Sequence, residues 1–216
     1  MLHPHVPEDL KHFGKHLFAT FLGLLMALAL ESWHQSHQHA KTAEFARTFI
    51  TRELEANRAE VKVEMESIHR EGPKILNAIK ALEQRVGEAP AEPKCELPKE
   101  QFALSLATLP TSSWEASVAT QSFSYMEPWR VEKIAQAFTI QRSLQNTHTL
   151  LVPRLFSLSR LSPVVAGQIR LDQVSQAQAS AILGDLREAM IALNSAYTTA
   201  KELDQAMAEA IKACRP

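Results

Sequence analysis

Residues 17–30 read LFATFLGLLMALAL, fourteen positions with no charge and a single hydroxyl group. A membrane-spanning helix needs about 20 apolar residues to cross roughly 30 Å of hydrocarbon. Counted from Phe13 to Trp33 the segment is long enough, because the stem of Lys15 can lie along apolar surface and an indole suits the headgroup layer. We therefore interpret residues 17–33 as a transmembrane anchor. Its apolar side chains are Leu17, Phe18, Phe21, Leu22, Leu24, Leu25, Leu28 and Leu30, with Trp33 at its end.

Two other interpretations of this stretch stay open. A cleaved signal peptide has a basic start, an apolar stretch of this length and a small-x-small cleavage site, and Ala27-Leu28-Ala29 supplies such a triplet. That triplet, however, lies inside the apolar run, with no polar segment before it. A buried helix of a soluble protein is the other alternative, since runs of about 10–14 apolar residues are often of that kind. Against it, this run is apolar on every face.

The distribution of charge around the run predicts its orientation. Lys11, Lys15 and the amino terminus precede it, whereas Glu31 follows it and no Lys or Arg lies within the next two helical turns. Basic flanks of a span stay in the cytoplasm. We therefore expect residues 1–16 to form a short cytoplasmic tail and residues 34–216 to form an extracytoplasmic domain. We predict a single-pass protein of a bacterial inner membrane whose C-terminal domain is periplasmic.

The composition favours helices behind the anchor and argues against a nucleic-acid partner. The chain has 216 residues, and its 23 basic and 24 acidic residues nearly cancel. Without a basic patch, binding to a phosphate backbone is not expected. Only six glycines occur, and abundant Ala, Leu, Gln and Glu favour helix over sheet. We predict an all-α fold: an N-terminal transmembrane helix that continues into a long helix, followed by an antiparallel helical bundle of about four long helices.

The segment after the anchor carries the clearest helical pattern. Pro7-Glu8-Asp9 is a good helix start, and no Pro or turn cluster follows until Gly72-Pro73, where we expect the helix to break. A heptad-like seam, with Asn57 on the same line, suggests a surface for self-association through a coiled coil. The seam is formed by Ile50, Leu54, Val61, Met65 and Ile68. The expected solvated face carries Arg52, Glu53, Glu55, Arg58, Glu60, Lys62 and Glu64.

The rest of the chain is expected to alternate between helices and Pro-marked connections. We predict a short helix that ends near Gly87, a loop over residues 88–98 and a brief helix over residues 99–109. The segment that contains Trp114 is then expected to form one or two short helices. A long helix starts at Glu127-Pro128 and is bent or broken at Pro153. After a turn over residues 162–167, the last helix runs from about Leu171 to Ala213.

Two cysteines, Cys95 and Cys214, match no zinc or redox spacing. Outside the cytoplasm a disulfide between them is a reasonable expectation. Such a bond would join the Pro-rich loop to the C-terminal end and would stabilise the fold by roughly 4–5 kcal/mol in the loop-entropy model. The alternative is two unrelated thiols.

No segment predicts a catalytic, metal or cofactor site. His34 and His37 share a helix face while His39 is turned away, and two imidazoles alone make a poor metal site. His148, between two threonines in a helix, is expected to be a packed or half-exposed histidine rather than a base. No serine lies in a GxSxG context. We expect neither an enzyme nor a bound cofactor or metal.

One aromatic region invites a ligand-binding interpretation. Trp114 and Glu115 lie next to a turn, and Trp129 lies at the start of the following helix. A pocket between helices at these three residues would hold a small molecule. The alternative is a buried indole with a carboxylate that caps the helix start.

Two segments resemble uncharacterised bacterial single-span membrane proteins. Residues 23–35 read GLLMALALESWHQ, and residues 111–120 read TSSWEASVAT. In those proteins an apolar run ends in a polar residue, a spacer and Trp, and a Thr-x-x-Trp-Glu-Ala stretch follows later. The polar residue is usually Asn there, whereas it is Glu31 here. The resemblance implies the anchor-plus-helical-domain topology and no activity.

We expect a membrane-tethered interaction or scaffold protein without catalysis. Its partners would be membrane lipid and a second copy or another membrane protein. The alternative is a ligand-binding, sensor-like helical bundle that signals through a partner.

Overall fold

The computed structural model describes residues 8–87, 102–157 and 174–215, and the regular structure within them is helical. The all-α prediction is confirmed: a long N-terminal helix is followed by a bundle whose C-terminal helix packs against it. The elements are α1 (Glu8–Val86), α2 (Ser112–Ala119), a 3-10 helix (Ser122–Tyr125), α3 (Pro128–Ser157) and α4 (Gln176–Cys214). The three long helices among the described residues are α1, α3 and α4.

The helix α1 is 79 residues long and passes through Gly72-Pro73 without interruption. The predicted break is wrong, and the predicted separate helix ending near Gly87 is the last part of α1. Proline removes one backbone hydrogen bond and costs about 3 kcal/mol inside a helix. Ile68 lies before it and Ile75 and Leu82 lie after it, all buried in the same core. Because both sides of the proline gain this burial, the helix continues across it.

The long helices are arranged with α4 antiparallel to both α1 and α3. Near the start of α4, Gln176 donates a hydrogen bond to the Val86 carbonyl at the end of α1. Near its other end, Asp204 pairs with Arg58 in the middle of α1 at 2.7 Å. A capping box at Ser175 fixes where α4 begins. The side of α4 that faces the core alternates small and large residues, which lets the helices approach closely.

The core begins at Ala43 and extends to the end of α4. The apolar seam of α1 lies inside it, since Ile50, Leu54 and Val61 are fully buried and Ile68 nearly so. The predicted seam is therefore a continuous apolar line, but it lies in a core shared with α4 of the same chain. In this fold these residues pack inside the chain and do not form a free surface.

Residues 102–111 contain no helix, so the helix predicted over residues 99–109 is wrong for the described part of that range. This segment runs extended beside α1, and the reason lies in α1, as described below. Pro153 lies inside α3, which continues to Ser157. The loop predicted at 88–98 and the turn at 162–167 lie outside the described residues, as do residues 171–173.

Candidate functional sites on the long helix

The apolar run of α1 projects from the bundle without cover. The anchor side chains are between 45% and 67% exposed: Leu17, Phe18, Phe21, Leu22, Leu24, Leu25, Leu28, Leu30 and Trp33. Among the described residues α1 is the one helix long and apolar enough to cross a membrane, judged by length and composition, and its apolar window has a mean hydropathy of 1.5 with none of it buried. No described part of the chain covers the run, which argues against the buried-helix interpretation.

A polar collar joins this run to the bundle. Between Leu30 and Ala43 the helix rises about 20 Å, and its side chains there are exposed or half-buried. His37 stacks on Trp33, with ring centroids 6.2 Å apart. His39 points the other way and stacks on Tyr125 of the 3-10 helix at 3.9 Å. The described residues contain no group of three or more His, Cys, Asp or Glu side chains that could hold a metal ion.

A row of buried polar side chains follows one face of α1 next to the apolar seam. This polar stripe consists of Glu53, Asn57, Glu64, Ser67 and Glu71. The prediction that Glu53 and Glu64 belong to a solvated face is wrong. The residues are spaced by four, seven, three and four positions, which places them on one side of a helix. That spacing is the signal that sequence reasoning missed.

The polar stripe binds the backbone of residues 102–113, which we call the strap. Its first half offers the N–H groups of alternate residues to α1, as one edge of an extended segment does. The bonds run from Ala103 N to Glu71 Oε2 (3.4 Å), from Ser105 N to Ser67 Oγ (2.9 Å) and from Ala107 N to Glu64 Oε2 (3.0 Å). These acceptors satisfy backbone donors that a helix would otherwise satisfy internally, so this part of the chain stays extended.

The middle of the strap is held by three side-chain amides. Asn57 donates to the Pro110 carbonyl at 2.8 Å and to Oε1 of Gln141 at 3.1 Å. Gln141 and Gln145 of α3 both donate to the Leu109 carbonyl, at 3.0 and 2.8 Å. The strap is therefore clamped between α1 and α3. Asn57, which lies on the predicted seam, positions the strap.

The strap ends where Glu53 caps the first turn of α2. Its carboxylate accepts hydrogen bonds from Ser112 Oγ (2.9 Å), Ser113 N (2.8 Å) and Trp114 N (3.4 Å). The N-terminal N–H groups of a helix lack internal partners and favour a negative charge. A carboxylate from another helix thus supplies the cap, since the Thr111 side chain makes no capping bond to the backbone.

Two further contacts complete the polar stripe. His148 Nε2 of α3 lies 2.7 Å from Oε1 of the fully buried Glu64, and the His148 side chain is 12% exposed. The prediction of a packed histidine is confirmed. Burial raises the pKa of the Glu71 carboxyl, but hydrogen bonds from Arg70, the Ala103 amide and Lys74 outweigh that effect, so its pKa lies below the usual value.

The three residues of the predicted pocket differ in their surroundings. Trp114 is half-buried and packs against the core, with Phe123 at 4.7 Å and Phe138 at 5.0 Å between ring centroids. Glu115 is exposed and accepts a hydrogen bond from Thr111. Trp129 is 54% exposed, with the Arg130 guanidinium 4.9 Å from its ring. Three grooves on the described part of the chain are lined by other residues, and a ligand pocket at Trp114, Glu115 and Trp129 stays a prediction.

Cys214 is buried at the end of α4. Burial raises the pKa of its thiol, and this effect is larger than the opposing effects of a hydrogen bond with Thr51 and of the nearby charges of Arg130 and Arg47. Cys95 lies outside the described residues. The pairing of Cys95 with Cys214 stays a prediction.

Comparison with protein-family models, with curated proteins and with solved structures gave no match. The resemblance to bacterial single-span membrane proteins stays a prediction that rests on two short segments.

Proposed function

We propose that this chain is a membrane-tethered interaction module in which one helix serves as both anchor and core. The supporting observation is that the exposed apolar run of residues 17–30 and the buried seam that starts at Ile50 belong to the same uninterrupted α1. An uncovered run of this kind is stable in lipid, where its side chains stay out of water. The proposal includes no catalytic step.

The helical collar makes the connection between the apolar run and the bundle stiff. A flexible linker would let the domain rotate freely, whereas a continuous helix holds it about 20 Å beyond the end of the apolar run. The stacking of His39 on Tyr125 adds a contact between the collar and the bundle. A scaffold needs this kind of fixed height and orientation. The charge distribution favours a periplasmic domain in a bacterial inner membrane.

Extraction of membranes tests the tether. We expect the intact protein to remain in the pellet after alkaline carbonate, with an unprocessed N-terminus by mass spectrometry. The double variant Leu24→Glu/Leu28→Glu should be extracted, since a charge at the centre of a span costs roughly 3 kcal/mol or more. Leu150→Glu, a control at an exposed leucine of α3, should remain in the pellet.

A soluble wild-type protein, or a mature chain that starts near residue 30, would contradict the tether. Orientation is tested separately with reporter fusions at the C-terminus. A reporter that is active only in the periplasm should give signal. Activity of a cytoplasm-only reporter at that position would reverse the topology and leave the anchor intact.

A ligand-binding sensor is a second candidate, favoured by a groove between α1 and α4. Because Pro73 has no N–H, the His69 carbonyl beside the groove has no helical donor, and Asn194 adds polar atoms. The apolar lining includes Ile68, Leu76, Met190 and Leu193. A small amphiphile that raises the melting temperature of the wild type but not of Asn194→Leu would support this candidate. Its signal would have to pass through a partner.

A further inference from the structure

The face of α1 that points away from the core carries a second heptad line, which we call the outer stripe. Its positions are separated alternately by four and three residues: Leu17, Phe21, Leu24, Leu28, Glu31, Gln35, Gln38, Thr42, Phe45, Phe49, Arg52, Ala56, Ala59 and Val63. Apart from the half-buried Thr42, all of them are exposed. A spacing of this kind is the seam of a two-stranded coiled coil.

The exposed apolar residues beside the bundle single out this line. Between Ala43 and Glu71, the large hydrophobic side chains of α1 that are exposed are Phe45 (64%), Phe49 (53%) and Val63 (52%). All three lie on the outer stripe. Ala56 and Ala59 fill the positions between Phe49 and Val63, and small side chains let two helices approach closely. Phe45 and Phe49 also form one wall of a groove whose other wall is α2.

We propose that the outer stripe is a dimer interface that binds a second copy of this chain, with the two α1 helices parallel. The inference rests on the proposed membrane tether. Two copies in one membrane have the same orientation, and the continuous α1 places Phe45 and Phe49 of both at the same height. A two-fold axis along the membrane normal then places each residue of the outer stripe opposite the same residue of the second copy.

The area available suits a stable dimer. The stripe spans 46 residue steps from Leu17 to Val63, about 70 Å of helix. Its seven large apolar side chains are each more than half exposed, and pairing them would cover roughly 1,000–1,500 Å² in total, close to the size of standard stable interfaces. Part of this area lies in the anchor, where packing between helices rather than exclusion of water favours association.

The polar positions of the stripe set limits on its strength. Gln35 and Gln38 lie in the collar, where polar side chains at seam positions fix register at a cost in stability. Arg52 can lay its stem along the seam while its guanidinium reaches water. We therefore expect a reversible dimer whose fraction depends on the ratio of protein to lipid.

Crosslinking in proteoliposomes tests the geometry. In a Cys95→Ser/Cys214→Ser background, the single variants Phe49→Cys and Ala56→Cys should form disulfide-linked dimers on mild oxidation. Ile191→Cys, an equally exposed apolar position on α4, is the matched control and should stay monomeric. Crosslinking at Ile191 but not at the stripe positions would overturn the proposal.

Energy transfer between labelled copies tests the energetics. Phe45→Gln/Phe49→Gln should reduce the dimer fraction at least tenfold at a fixed lipid ratio, without changing the helical content or the melting temperature, because both side chains are exposed. Ile191→Gln should leave the dimer fraction unchanged. A wild type that is monomeric at every lipid ratio, or one that binds a different membrane protein through the stripe, would overturn the proposal. Carbonate resistance in that case would leave the tether standing.

Discussion

The buried polar side chains of α1 bind mainly backbone groups of the strap. Glu71, Ser67 and Glu64 accept from its N–H groups, and Asn57 donates to one of its carbonyls. Backbone groups are present whatever side chain follows, so the path of the strap depends more on α1 than on the strap sequence. Substitutions in the polar stripe should therefore cost more than substitutions at exposed strap positions.

Replacing Glu53 should weaken the start of α2. In Glu53→Gln one of the two carboxylate oxygens is replaced by an NH2 group, which cannot accept a hydrogen bond. The remaining oxygen cannot reproduce all the bonds to Ser112, Ser113 and Trp114, and the negative charge at the helix start is lost. We expect the free energy of unfolding to fall by about 1–2 kcal/mol, measured by urea denaturation. Glu55→Gln, at an exposed position of the same helix, is the control and should change it little. Equal stability of both variants would contradict the capping role.

The stability of the fold should depend on the protonation of Glu71. Its pKa is lowered in the folded state by Arg70, the Ala103 amide and Lys74. The stabilisation is therefore present above the unfolded value of about 4.3 and is lost as the pH falls through the folded value. Unfolding measured from pH 7 to pH 3 should show a steeper loss for the wild type than for Glu71→Gln. Parallel curves would argue against this contribution.

The thiol of Cys214 should react slowly in the folded protein. Burial raises its pKa, so little thiolate is present near neutral pH, and the side chain is out of reach of reagents. In a Cys95→Ser variant we expect alkylation to be more than about tenfold slower in the folded state than in guanidinium. Fast labelling of the folded variant would contradict the burial. A free-thiol count on the unreduced wild type tests the disulfide: no free thiol supports it, and two remove it.

Helix α1 shows how core contacts outweigh a local break signal. Gly72-Pro73 weakens the helix at one point, but the seam on both sides of it is buried against the same partners. If α1 were broken into two helices at Gly72-Pro73, residues there would form a turn. Those turn residues could no longer cover the core as the continuous helix does. Because α1 is continuous, the groove lined by Pro73 lies on the same helix as the apolar run of residues 17–30.

Two glycines in or next to the long helices should respond to replacement by alanine in opposite ways. A Cβ on Gly184, inside α4, would meet no atom within 4 Å, so Gly184→Ala should raise the free energy of unfolding by about 0.5–1 kcal/mol through helix propensity. Gly87, the turn residue after α1, has φ +81°, and Gly87→Ala should lower it by about 1 kcal/mol or more. Thermal unfolding should show a higher melting temperature for Gly184→Ala and a lower one for Gly87→Ala than for the wild type.

For the molecule as a unit, the core and the anchor are separate in space. No core residue precedes Ala43 among the described residues. We therefore expect a protein of residues 34–216 to be soluble and monomeric at low concentration, with a melting temperature within a few degrees of that of the full chain. Circular dichroism and sedimentation measure both. Unfolding or aggregation of this shorter protein would mean that the anchor contributes to the domain fold.

Much of the architecture follows from local patterns. The apolar run near the N-terminus, the helical class and the apolar line through Ile50, Leu54 and Val61 were predicted, because a period of 3.6 residues reports which side of a helix is apolar. That this line is buried inside the same chain, and not a surface for a second copy, was not predicted. The candidate site was not predicted in the same way. Glu53 and Glu64 look like any charged residues of a solvated face, since periodicity records polarity and carries no information about a distant hydrogen-bond partner.

The pattern of hydrophobicity therefore suffices for the long apolar run near the N-terminus, the apolar side of α1 and the helical fold of this chain. The conformation of the strap and the burial of the polar stripe depend on hydrogen bonds between α1 and residues 32 to 61 positions further along the chain, and on contacts with α3 at a separation of 84 positions. Residues 102–109 are apolar enough for a helix, and they stay extended because acceptors on α1 and donors on α3 satisfy their backbone. Such non-local hydrogen bonds exist only once the helices have packed, so the spacing of the polar stripe marks one side of α1 but does not name its partners.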